Sequence, residues 1–329
     1  MSLFLGGVCR IDRSTMTPRA CAVMMVGGCG RVGMRFVPPS LTLGVGVMRV
    51  PSPFLFADSP EFLRLLRGEE EPDLTRLAFE IARDAYPALN TSAYLSKIDG
   101  LAERVRDRCA PGAKTPHILG QINWVLYVEE GFRGNVDEYD DPRNSYLNQV
   151  IDRKLGIPIS LSVVYLAIAD RLGLAMNGVN LPGHFVIRVG QAESTIFVDP
   201  FHEGAMIDRA ACARLAAQSL SRAIELSDSV LAPCSTGIIV LRMLRNLKAA
   251  LIRDNHFGAA IPVLRRLVAL DKENIQERRD LGIACVNVGM AGEALSHLSA
   301  YLTADPHAPD AEDIAALARV ASREIARQN

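Results

Sequence analysis

Residues 144–204 read NSYLNQVIDRKLGIPISLSVVYLAIADRLGLAMNGVNLPGHFVIRVGQAESTIFVDPFHEG, and a change of hydrophobic period inside them decides the fold class. Leu161, Val163, Val164, Tyr165, Leu166, Ile168, Ala169 and Leu172 leave residues 161–172 apolar nearly all the way round. A helix without a polar face must be buried on most sides, so this one is expected at the centre of a domain, with Pro158 and Ser160 marking its start. After Gly173 the period drops to two. In residues 184–189 Phe185, Ile187 and Val189 alternate with His184, Val186 and Arg188, as on the two faces of a strand. Residues 195–199 supply a second strand, and residues 191–194 are short enough to join the two as a hairpin.

That loop length sets the register. Gly190 then pairs with Thr195, and Val186 falls opposite Asp199. His184 shares a face with Asp199 and sits on its diagonal, within side-chain hydrogen-bonding reach. A slip of one residue would put the two on opposite faces.

Upstream, the pattern is helical. Ser59-Pro60-Glu61 is a helix start. Apolar stripes at 3.6 period follow in Leu74, Leu77, Ala78, Ile81, Ala82 and Ala85, in Tyr94, Ile98, Leu101, Ala102 and Val105, and from about Thr115 through Ile118, Ile122, Val125 and Leu126. Residues 131–148 are polar, aromatic and turn-rich. Their carboxylates Asp137, Glu138, Asp140 and Asp141 lack the ligand order of a calcium loop, and are read as turn residues and a cap for the helix opened by Pro142 and Asn144.

Downstream, the chain repeats at an interval of 34. Leu247, Ala250, Gly258, Ala260, Leu264 and Asp271 recur as Leu281, Ala284, Gly292, Ala294, Leu298 and Asp305. This resembles tetratricopeptide repeats, paired helices whose small residues allow close packing. Two repeats are fewer than the three usually needed alone, so this annex is expected to lean on the central domain and to be capped by a helix over 311–327.

Residues 1–50 differ in kind, with six of the ten Met, three of the seven Cys, six Arg and a single acidic residue, Asp12. They are expected to be disordered, or an extension ahead of a natural start at Met48 or another internal Met. Gly28, Gly30 and Gly33 have dinucleotide-loop spacing, but Pro38 and Pro39 would break the helix that must follow.

The chain as a whole has 329 residues, 49 % apolar and 22 % charged, with a formal net charge of −1. Nothing in that balance calls for nucleic acid or an anionic membrane as partner. No apolar run is long enough to span a bilayer. The scattered cysteines show neither zinc nor disulfide spacing, which points to free thiols in a cytoplasmic protein without metal or cofactor.

A buried helix start facing a His on one strand and an Asp on the next is the layout of a papain-like or transglutaminase-like core. There a Cys at the helix N-terminus is the nucleophile, the His its base, and the Asp the group that holds the imidazole. Five ordered motifs, GFRGN (131–135), NSYLN (144–148), GIPISLS (156–162), PGHF (182–185) and VDPF (198–201), resemble the bacterial SirB-type transglutaminase-like proteins, whose domain also occurs in an F-box protein. The resemblance covers roughly residues 60–330. It implies an α+β papain/transglutaminase-like domain with its helical lead-in over 58–236, followed by a tetratricopeptide-type region over 237–329.

Carried over residue by residue, the resemblance assigns His184 and Asp199 to the catalytic His and Asp. It assigns no nucleophile, because no Cys lies between Cys109 and Cys212. The helix start offers Ser160 or Ser162 instead, about 100° apart per residue on the helix and so on nearly opposite faces. Ser160 is either a cap for a buried helix or a nucleophile. The corresponding functions are a non-catalytic protein-interaction or regulatory module, binding a protein or peptide through the helical repeats, and a Ser-His-Asp hydrolase or acyl transferase acting on peptide, amide or ester substrates. The remaining histidines, His202 among them, show no ligand spacing and are read as surface or packing residues.

Overall fold

The computed structural model describes residues 56–69, 72–190, 195–222 and 225–328; the readings made of residues 1–50 lie outside them. The lead-in comprises α1 (Pro60–Arg67), α2 (Leu74–Arg83), α3 (Thr91–Asp107) and α4 (Thr115–Asn123), the last running on into a π-helical segment, Trp124–Glu129. Each expected stripe faces inward: Leu77 and Ile81, Ile98, Leu101 and Val105, and Ile122, Val125 and Leu126 are all buried. The last of the four is not a uniform α-helix. Its widening at Trp124 is a feature common at functional sites, and here Tyr127 Oη donates to the Pro200 carbonyl (3.1 Å) and Asn123 Nδ2 to the Gly204 carbonyl (2.8 Å).

The start of α1 falls where Ser59-Pro60 places it, but Ser59 makes no side-chain cap. Glu80 on α2 does so instead, its carboxylate accepting from the amides of Glu61 and Phe62 at 2.9 Å each. A helix start buried against a neighbour can have its orphan amides satisfied by that neighbour.

The motif segment begins with β1 (Arg133–Gly134), followed by α5 (Leu147–Arg153) and β2 (Leu155–Gly156), which pairs parallel with β1. Then comes α6 (Pro158–Arg171), in which only Leu166, Asp170 and Arg171 escape full burial. It packs against α2, α3, α5, the sheet and the first annex helix, as the absence of a polar face requires.

An antiparallel meander follows in the order β3 (Met176–Val179), β4 (Val186–Val189), β5 (Ile196–Asp199) and β6 (Ala205–Ile207). The β4–β5 register pairs Ile187 with Val198 and Val189 with Ile196. Continued by one position, it sets Val186 opposite Asp199, as the loop length predicted. The chain closes the domain with α7 (Arg209–Leu220).

The annex is α8 (Thr236–Arg253), α9 (Phe257–Leu270), α10 (Ile275–Asn287), α11 (Ala291–Ala304) and the capping helix α12 (Ala311–Gln328). Leu247, Ala260 and Leu264 are buried in the first pair and Leu281, Ala294 and Leu298 in the second. The repeated Asp271 and Asp305 both cap a helix C-terminus, their amides donating to Leu267 and Tyr301. The annex shares a core with the lead-in, since Phe62, Leu77 and Ile81 cluster with Val240, Leu244 and Leu264.

Arg266 of α9 completes that junction. It is 2 % exposed. Its guanidinium forks onto Asp84 (2.6 and 2.9 Å) and donates to the Ser59 hydroxyl (3.0 Å) while lying over the rings of Phe56 and Phe62.

Candidate functional site

His184 is delivered by a tight turn ahead of β4, in which its amide donates to the Leu181 carbonyl (3.2 Å). Gly183, at φ +70°, lies flush against Ser219, so that a Cβ there would overlap it; the turn needs glycine for both reasons. Asp199 ends β5. The two side chains meet as the register requires, His184 Nε2 lying 2.9 Å from Asp199 Oδ2.

The same oxygen is 2.7 Å from His202 Nδ1, and Asp199 Oδ1 accepts from the Phe201 amide (3.1 Å). Burial pushes the Asp199 carboxyl up, but the bonds and charge supplied by His184 and His202 outweigh it and hold the group below the ordinary carboxylate range. An ionised Asp199 can only accept, so each imidazole donates to it through the nitrogen named. His184 is thereby left with Nδ1 as its basic nitrogen, and Nδ1 makes no hydrogen bond to a described residue.

Ser160 lies elsewhere in the hydrogen-bond network. It is the third residue of α6 rather than its N-cap, which is Ile157. Its hydroxyl accepts from the Ile157 amide (3.0 Å) and donates to the Asn144 carbonyl (2.6 Å), with the Ile157 carbonyl at 3.1 Å. That is one half of a capping box, extended to the preceding loop. Ser162 is also occupied, donating to the Pro158 carbonyl (2.7 Å). The structure therefore joins His184 to Asp199 and bonds neither serine to them.

The described thiols are no better placed. Cys234 precedes α8, but its sulfur donates to the Gly178 carbonyl (3.1 Å), and burial pushes its pKa up to about 11. Burial likewise raises Cys212 and Cys285 to about 12. Such thiols stay protonated and inert at neutral pH.

His202, a surface histidine as expected, also belongs to the constellation. Its side chain is half exposed, yet it is tied to Asp199 by a single 3₁₀ turn, Pro200–His202. The signal was the spacing of three after an Asp-Pro, which such a turn brings back over the carboxylate. The rings of His184 and His202 are stacked with centroids 5.8 Å apart, and Phe201 stands edge-on to both.

Among the described residues, His184, Asp199 and His202 are also the group suited to hold a metal, their donor atoms lying within 4.8 Å of one another. Two imidazoles and a carboxylate suit a zinc or iron(II) ion. An ion held by the nitrogens that face Asp199 would replace both bonds to Asp199 Oδ2. The acidic run at 137–141, in contrast, does turn work. Asp141 caps a 3₁₀ turn through the Arg143 amide (2.8 Å), Asp140 pairs with Arg253, and Asn144 Nδ2 donates to the Glu138 and Tyr139 carbonyls.

The five motifs converge on this site. Gly134 of GFRGN lies so close to Phe201 of VDPF that a Cβ would overlap its ring. Asn135 donates to the Asn144 side chain (3.0 Å), and Asn144 in turn receives Ser160. A helix start set against a His–Asp pair on adjacent antiparallel strands, followed by paired helices, defines the class: a transglutaminase-like domain joined to tetratricopeptide repeats. Family models agree, the transglutaminase-like superfamily matching residues 92–245 and a tetratricopeptide repeat residues 247–319.

The chain belongs to the UPF0162 family of SirB-like proteins. It is 34 % identical over 243 residues to a UPF0162 protein of Xylella fastidiosa, covering 72 % of this chain and 86 % of the relative. It is 25 % identical over 215 residues to one from Haemophilus influenzae, covering 65 % and 80 %. A shorter match, 37 % over 115 residues, is to F-box only protein 21 of Mus musculus, spanning 32 % of this chain and 18 % of that protein.

Proposed function

We propose that this protein is a transglutaminase-like module that has lost its nucleophile and acts in the cytoplasm by binding a protein or peptide. Residues 58–236 form the former catalytic domain in this reading, and residues 237–329 the repeat region. The observation that carries it is the state of the helix start: the Ser160 hydroxyl is committed to three backbone groups, and among the described residues no hydroxyl or thiol is hydrogen-bonded to His184 Nδ1. A base without a nucleophile cannot perform covalent acyl transfer. The tetratricopeptide-type region supports the interaction role.

The alternative is a Ser-His-Asp hydrolase or acyl transferase with Ser160 as nucleophile. In its favour is the 2.9 Å bond between His184 and Asp199. Against it, Ser160 would have to give up its bonds at the start of the most buried helix in the domain. The two readings separate in a screen of acyl esters, amides and peptides against wild type, His184→Ala and Ser160→Ala. The module reading expects no turnover in any of them, and a loss of about 1–3 kcal/mol of stability in Ser160→Ala from the orphaned Ile157 amide. Turnover by wild type that vanishes in both variants, with Ser160→Ala still folded, would establish the hydrolase.

A further inference from the structure

A cavity of about 800 Å³ lies between the two halves of the molecule, within the size range of ligand pockets. The transglutaminase-like half contributes Tyr139, Pro182 and Phe201, and α8 contributes Ile238, Leu241 and Arg242. Pro182 and Gly183 on this wall immediately precede His184, and Phe201 packs on its ring, so the cavity adjoins the candidate site. Its rim is apolar and open: Val136 is 73 % exposed, Ile238 45 % and Tyr139 41 %.

The charges on its wall are unequal in one respect. Asp140 is neutralised by Arg253, Asp141 by Arg143 and Arg153, and Arg245 by Asp271. Arg242 alone among these has no carboxylate partner among the described residues. Its guanidinium donates only to two amide oxygens, Asn180 Oδ1 (2.9 Å) and Asn246 Oδ1 (3.3 Å), and its Nη2 makes no bond to a described residue. Burial lowers the Arg242 pKa from its ordinary value, as it must for a cation drawn out of water, though arginine stays charged at neutral pH. A partly desolvated guanidinium, held in place by two asparagines and facing an apolar-rimmed cavity, favours a ligand that brings the missing negative charge.

We infer that the cleft between the domains binds a peptide that seats an apolar side chain against the Tyr139–Phe201 wall and places a carboxylate on Arg242. This rests on the interaction reading above and specifies its site. An acidic side chain and a free peptide C-terminus both supply such a carboxylate, and the two share the same recognition chemistry.

The test uses the full chain and labelled hexapeptide pools in which a fixed Leu-Glu pair sits in random context with an amidated C-terminus. Parallel pools carry Leu-Gln with an amidated C-terminus, and Leu-Gln with a free one. Enrichment of the first pool over the second assigns a side-chain carboxylate, and of the third over the second a terminal one. Peptides recovered from either are expected to lose about thirty-fold in affinity in Arg242→Gln, as when one partner of a buried charge pair is removed, and to retain part of it in Arg242→Lys. Ala249→Phe, which narrows the cavity from a position about two turns further along α8, is expected to weaken the same peptides and gives a second, independent variant. Equal retention of all three pools, retention of none, or undiminished binding in folded Arg242→Gln overturns the inference. Acidic peptides that bind equally well to Arg242→Gln and Ala249→Phe would locate recognition elsewhere on the repeats, leaving the module reading standing without this site.

Discussion

Asp199 accepts three hydrogen bonds from two imidazoles and a backbone amide while almost wholly buried. Asn in its place keeps the shape but brings a donor to a position that needs an acceptor, so Asp199→Asn is expected to cost about 1–3 kcal/mol at pH 7. The pH dependence has a definite sign. The folded-state carboxyl titrates below its unfolded value, so its contribution is complete above about pH 4 and is lost as pH falls through the folded value. Urea denaturation at pH 7 and pH 3 should show wild type and variant converging at the lower pH. The pairing of His184 with Asp199 was legible in the sequence, because a period of two and a four-residue loop determine which side chains share a sheet face. His202 was missed because its approach depends on one irregular turn, whose signal is the three-residue spacing after Asp199-Pro200 and not a periodicity.

The helix start of α1 shows the same division within an element. Its position is written in Ser59-Pro60, yet its amides are capped by Glu80 of the next helix. Glu80→Ala is expected to cost about 1–3 kcal/mol, and to raise hydrogen exchange selectively at the Glu61 and Phe62 amides. Exchange unchanged there would show that Ser59 or water can take over the cap. In α6 the apolar residues announce a buried helix, but not the use of its serines. Ser160 as a capping-box residue and Ser160 as a nucleophile present the same local sequence. Only the Asn144 carbonyl, 16 residues away, distinguishes them.

At the scale of the molecule, the repeat region and the lead-in meet in a shared apolar core and at Arg266. The ion pair with Asp84 joins residues 182 positions apart. Arg266→Met is expected to cost about 3 kcal/mol, the lower end for breaking a buried pair, because Asp84 keeps some access to water. Adding Asp84→Asn should return part of that loss. The measurement is thermal unfolding followed by domain-specific probes. A single cooperative transition in wild type that separates into two in Arg266→Met would show that this junction couples the halves, and an unchanged single transition that the shared apolar core suffices.

The sequence by itself determined the helices, the hairpin register, the 34-residue repeat and the absence of a Cys at the helix start. All of these are read along the chain: the helices and the register follow from turn chemistry and from side-chain periods of 2 and 3.6, and the repeat and the missing Cys from residue identities. The tertiary structure alone decided that Ser160 is bound to the Asn144 loop and that Arg242 faces a cavity between the domains with no carboxylate partner among the described residues. Each of these depends on which distant backbone or side-chain group comes within about 3 Å, the range over which a hydrogen bond acts. No pattern along the chain encodes that distance until the cores have packed.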